Sequence, residues 1–236
     1  MTTRPAASLL VLPGLTNDGR VWQAVVAALG SDASVAVGDL RTRETMKALA
    51  ADVLSRAPDR FAVAGLSMGG YCALEMLRQA PERIVGLALV DTSARPDTPE
   101  SRANREKQIE RAGREYAALV DELVPKWIHP SRLKDPAVGL VVREMAIDAG
   151  ADVFIQQQRA IMSREDSRPL LKSIKCPTVV VCGRDDALMP MEIHEELAKG
   201  IDGATLEVID ACGHLAPLER PGPVSDRLRA WLRRIA

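Results

Sequence analysis

Net charge is what this chain of 236 residues has least of: 31 Lys and Arg stand against 32 Asp and Glu, leaving -1 at pH 7. Without a basic excess there is no electrostatic case for nucleic acid or an anionic membrane surface as a partner. Long apolar runs are missing too. The start, Met1 to Ser8, is followed by only five apolar residues before Gly14, too few for an export signal or a membrane span. A soluble cytoplasmic protein is therefore expected. The four cysteines, Cys72, Cys176, Cys182 and Cys212, match no zinc spacing. All lie in or beside apolar segments, where buried free thiols are the simplest expectation. Cys182 and Cys212 are expected near one another, with no chemistry assigned to them. No internal repeat, low-complexity tract or linker interrupts the chain, and no motif asks for a cofactor or a metal. The partner expected is a small molecule, and oligomeric state is not legible.

Short apolar runs recur with helical stretches between them. Strands are expected at Ser8–Leu12, Ser34–Val37, Phe61–Ala64, Val85–Val90, Thr178–Cys182 and Thr205–Ile209. They are rich in Val, Leu and Ala without alternation, as in strands covered on both faces. Helical patterns occupy Val21–Leu29, Arg43–Arg56, Gly69–Gln79, Ile193–Lys199 and Pro223–Ile235. This alternation predicts an α/β three-layer sandwich, a mostly parallel sheet of about six strands with helices on both faces. Between Pro96 and Ile174 the rhythm stops. Thr98-Pro99 reads as a helix start, and Ile109, Ala112, Tyr116, Leu119 and Leu123 form one apolar face. Further helices are expected over Ala137–Ala149 and Val153–Met162. The division expected is a core of residues 1–95 and 170–236, with residues 96–169 inserted as a helical lid.

Chemistry concentrates where strands end. Gly65-Leu66-Ser67-Met68-Gly69 is a G-x-S-x-G between a strand and a helix, so Ser67 is the candidate nucleophile. A serine hydroxyl needs a base, an orienter for the base, and donors for an oxyanion. Of the chain's three histidines, His214 follows the last strand after Gly213 and is the candidate base. His129 and His194, the latter on an expected surface helix, read as structural or solvated. The candidate orienter is Asp186 after the fifth strand, with the adjacent Asp185 and the more distant Asp91 as competitors. The backbone N–H of Met68, at a helix start, and that of Leu15, after Gly14, are the candidate oxyanion donors.

In these features the chain resembles the α/β-hydrolase fold superfamily. The order Ser67, Asp186, His214 is the order that superfamily uses. Gly183-x-x-Asp186-x-x-x-Pro190 resembles its acid segment and favours Asp186 over Asp185. Gly213-His214-x-x-x-x-Glu219-x-Pro221 resembles its histidine segment, and Gly14 with Trp22 its oxyanion loop. Two departures stand out. Pro13 occupies a position where the superfamily often has His, and no residues remain for an opening antiparallel strand pair. The sheet is thus expected to be trimmed to six parallel strands. The resemblance implies a serine hydrolase of a small carboxylic ester or lactone. Its alternatives are a C–C bond hydrolase, lyase or acyltransferase on the same triad, or a non-catalytic ligand-binding receptor. Tyr116, Trp127, Met145, Phe154 and Met162 are expected either to line an apolar pocket or to pack the lid onto the body. The charged run Arg102, Arg105, Glu106, Lys107, Glu110 and Arg111 reads as a solvated helix face.

Overall fold

The computed structural model describes residues 7–235; Met1–Ala6, where an export signal would begin, and Ala236 lie outside the described residues. Six strands form one sheet: β1 (Ala7–Leu12), β2 (Ala33–Val37), β3 (Phe61–Leu66), β4 (Ile84–Val90), β5 (Thr178–Gly183) and β6 (Thr205–Ile209). Their order is β2-β1-β3-β4-β5-β6 and every pairing is parallel, as in the register Leu10 to Val63 and Ala88 to Val179. The six-stranded three-layer architecture read from the sequence is the one observed. Coverage is not uniform, however. The central strands β3 and β5 are buried throughout, whereas the edge strands β2 and β6 are half-exposed. The expectation that all six are covered on both faces fails at the edges.

Helices connect the strands. These are α1 (Gln23–Leu29), α2 (Met46–Arg56), α3 (Met68–Gln79), α4 (Pro99–Trp127), α5 (Val141–Met162), α6 (Arg168–Leu171), α7 (Met191–Gly200), α8 (Ala216–Glu219) and α9 (Pro221–Leu232). The pleat divides the core. Leu9 and Val11 of β1 pack with Trp22, Val25, Leu228 and Trp231 on one face. Leu10 and Leu12 pack with Leu49, Met68, Cys72 and Leu197 on the other. Alternate side chains of one strand thus feed two apolar layers.

Between β4 and β5 the chain is helical. Thr98 caps α4 by accepting the Ser101 N–H at 3.1 Å, and Pro99 occupies the first helical position. The helix is broken at Glu115, whose φ of -145° is not helical. The two expected helices after Ala137 become a turn at Pro136–Leu140 and the long α5, interrupted at Gly150 with φ 79°. Tyr116 joins α4 to α5: its ring lies 5.6 Å from that of Phe154, and its hydroxyl donates to the Ala146 carbonyl at 2.7 Å. Among the described residues no helix is long and apolar enough to cross a membrane.

The winding defines where a site can form. The chain runs from β1 outward to β2, then returns to β3 on the opposite side of β1. The carboxyl ends of β1 and β3 therefore flank a topological switch point, where such sheets open a crevice. Helix α3 meets β1 closely there: a Cβ on Gly69 would lie 2.4 Å from the Leu12 carbonyl oxygen. Gly69→Ala is expected to lower unfolding stability by about 1–3 kcal/mol through this backbone overlap, read by chemical denaturation.

Candidate functional site

Ser67 sits between β3 and α3 with φ 52° and ψ -114°, a conformation that side-chain-bearing residues rarely hold. The surroundings enforce it. Its N–H donates to the Val90 carbonyl at 2.9 Å, and its carbonyl accepts the Thr92 hydroxyl at 2.7 Å. Glycine is needed two residues earlier, because a Cβ on Gly65 would lie 2.4 Å from the Gly69 carbonyl oxygen.

The loops after β5 and β6 reach the same place. His214 Nδ1 lies 2.7 Å from Asp186 Oδ2, and His214 Nε2 lies 2.8 Å from Ser67 Oγ. A carboxylate only accepts, so Nδ1 carries the hydrogen, and the Nε2 lone pair is left to accept the Ser67 hydroxyl proton. The other Asp186 oxygen accepts the N–H groups of Leu188 at 2.8 Å and Met189 at 3.0 Å. Burial disfavours charge on Asp186, but the facing His214 and these donors outweigh it and hold the carboxyl below its ordinary value. Burial likewise opposes charging His214; the Asp186 carboxylate and its hydrogen bond prevail and raise the imidazole above its usual 6.5.

The two candidate oxyanion donors flank Ser67. Met68 N–H opens α3, and Leu15 follows Gly14, where a Cβ would stand 3.5 Å from Ser67 Cβ. Neither N–H has a hydrogen-bond partner among the described residues. The loop carrying Leu15 is pinned by α5, since Gln157 Oε1 accepts the Thr16 N–H at 2.7 Å.

These groups open onto a cavity of about 430 Å³ between the sheet and helices α4 and α5, within the usual size for a small-molecule site. Its lining differs from the apolar one expected. Of the five candidate apolar residues only Trp127 lines it; Met145 and Phe154 are buried in the core. Instead the wall includes Asn17, Asp97, Arg105, Gln158 and Arg164. Asn17 is buried, and neither of its amide atoms finds a partner among the described residues, leaving hydrogen-bonding capacity facing the cavity. The reading of Arg105 as part of a solvated helix face fails, since its side chain is only 19% exposed and lines the cavity.

A family model described as the alpha/beta hydrolase family matches residues 9–227. The chain belongs to that family. Among solved structures, this alpha/beta hydrolase is similar to a malate-bound thermophilic esterase from Thermogutta terrifontis. That match has 33% identity over 99% of this chain and 92% of that one, with a TM-score of 0.92. An enol-lactonase from Burkholderia xenovorans matches at 26% identity over 99% of this chain and 94% of that one, TM-score 0.87. A putative carbamate hydrolase, RutD, from Rhizobium rhizogenes is 28% identical over 98% of this chain and 94% of its own length.

The remaining candidates of this alpha/beta hydrolase take other places. Asp185 does not meet His214; its carboxylate lies 3.6 Å from His129 Nε2. Asp91 is fully buried, and its oxygens accept the N–H groups of Gly183 at 2.8 Å and Ala216 at 3.0 Å. Burial and the neighbouring Asp186 charge push its carboxyl well above the ordinary range. His194 is buried rather than on the solvent side of α7, and burial depresses it to about 4, so it is neutral at pH 7. Cys72, Cys182 and Cys212 are buried free thiols and Cys176 a partly buried one. Burial raises all four, Cys182 to about 12, which leaves them protonated and unreactive.

An NMR titration should place the His214 midpoint above 6.5, and Asp186→Asn should bring it down by removing the raising charge. Asp91→Ala orphans two buried N–H donors and should lower unfolding stability by about 2 kcal/mol or more, read by thermal or denaturant unfolding.

Proposed function

We propose that the protein is a serine hydrolase that cleaves a small carboxylic ester or lactone through an acyl-enzyme intermediate. The observation that carries this reading is the unbroken pair of hydrogen bonds, 2.8 Å from Ser67 to His214 and 2.7 Å from His214 to Asp186, opening on a cavity. Ser67 Oγ attacks the carbonyl carbon while His214 Nε2 takes the hydroxyl proton, and Asp186 stabilises the imidazolium. Met68 and Leu15 N–H groups receive the oxyanion, aided by the positive end of α3. His214 then returns the proton to the leaving oxygen. In the second half a water gives its proton to His214 and attacks the acyl carbon, and Ser67 leaves with that proton.

Two similar proteins point the same way, one being named an esterase and the other an enol-lactonase. Both bonds present an acyl carbon with an oxygen leaving group, which this constellation suits. We further assign residues 96–169 the role of a lid roofing the cavity, since α4 and α5 contribute Trp127, Arg105 and Gln158 to its wall.

Ser67→Ala should cut p-nitrophenyl acetate hydrolysis by about a thousandfold or more, while circular dichroism and the unfolding transition remain those of a folded protein. A fluorophosphonate probe should label the wild type at Ser67. Wild-type turnover by the alanine variant would remove the nucleophile from this account.

A further inference from the structure

We propose that the cavity holds a carboxylate-recognition subsite centred on Arg105, so that the substrate is an ester or lactone bearing a second, singly negative group. This rests on the ester- or lactone-hydrolase reading and narrows its substrate class.

Arg105 departs from its neighbours on α4. Its side chain is 19% exposed, against 54% for Arg102 and 76% for Arg114. It meets Asp97, a carboxylate only 4% exposed, through Nε at 2.8 Å. Arg164 holds the other oxygen of Asp97 through Nη2, also at 2.8 Å. Two guanidinium groups thus share one carboxylate in a largely desolvated place. One positive charge is left over, and burying an unbalanced charge is costly unless an anion joins it.

The spare charge belongs to Arg105. Every donor-bearing nitrogen of Arg164 is engaged. Nε donates to the Arg95 carbonyl and Nη1 to the Ile161 carbonyl, each at 3.0 Å; Nη2 faces Asp97, and the group stacks over Tyr71 at 4.3 Å. Arg105 is fixed but not exhausted. Nη1 donates to Gln158 Oε1 at 2.7 Å, and Gln158 Nε2 donates to Gln108 Oε1 at 2.8 Å. Nη2 has no partner among the described residues. The result is a guanidinium held in one orientation with a free donor, lining the same cavity as Ser67 and His214.

Of the other cations of the wall, Arg95 is paired with Glu196 and Lys126 is exposed to solvent. A single surplus charge with one free guanidinium nitrogen suits a carboxylate monoanion better than a phosphate dianion.

The test compares monomethyl adipate with its neutral primary amide, by methanol release. In the wild type, kcat/KM should favour the anion by about tenfold to a hundredfold. Arg105→Gln should bring that ratio close to one, and Arg105→Lys should recover part of it. A wild-type ratio near one, or a ratio untouched in Arg105→Gln, would overturn the subsite. If Arg105→Gln does not fold, adipate and adipamide are compared as stabilisers of wild type and of Ser67→Ala. Adipate alone should raise Tm in both proteins; equal shifts, or no shift, would reject the proposal without any need for turnover. Fluorophosphonate labelling separates the two readings. A labelled Ser67 with no anion preference removes only the subsite. An unlabelled Ser67 with selective adipate stabilisation removes only the hydrolase chemistry.

Discussion

One buried carboxylate holds the site in register. Asp91 directly follows β4 in a left-handed conformation, φ 45°, and its two oxygens accept N–H groups from Gly183 and Ala216. Those residues stand three positions before Asp186 and two after His214. The loops bearing Asp186 and His214 are therefore tied to one point on the sheet. Without that tie, two irregular segments from separate strands would have to find a hydrogen-bonding geometry that tolerates errors of only a few tenths of an ångström. Asp91 does not touch the imidazole. It acts on the loops, and its own charge is suppressed by burial and by Asp186.

The helical segment between β4 and β5 is built into the same arrangement. The Trp127 carbonyl accepts the His214 N–H at 3.1 Å. Glu219, itself buried, accepts N–H groups from His129, Gly213 and Leu215, joining the end of α4 to the histidine loop. At the other end, Gln157 of α5 accepts from Thr16 and donates to the Leu40 carbonyl. The loops carrying His214 and Leu15 are thus braced by the α4–α5 segment as well as by the sheet. The polar wall forms where the start of α4 sets Arg105 against Asp97 at 2.8 Å and α5 adds Gln158.

Much of the architecture is legible in the chain because it is local. Continuous Val, Leu and Ala runs announce buried strands, and Gly65-Leu66-Ser67-Met68-Gly69 announces a turn that only small residues can make. His214 stands out because histidine is rare here and this one follows a terminal strand. The acid is different. Asp185 and Asp186 are adjacent, and no periodicity separates them; the resemblance to a family motif favoured Asp186. The direction each side chain takes after the Gly183 turn places Asp186 on the imidazole and Asp185 near His129. Charge patterning misleads in the same way, since a run of Arg, Glu and Lys on α4 gives no sign that Arg105 alone turns inward.

From its residues in order, then, this protein determines six strands, the helices between them, a strained serine and a histidine after the last strand. Those features depend on interactions within a few residues or on the period of one element. The tertiary structure alone decided which aspartate meets the histidine, that Asp91 serves as an anchor, and that the cavity wall is cationic. These outcomes depend on contacts between separate segments, from 28 residues apart for Asp186 and His214 to 125 for Asp91 and Ala216, whose relative placement is set by sheet order and packing and not by any local pattern.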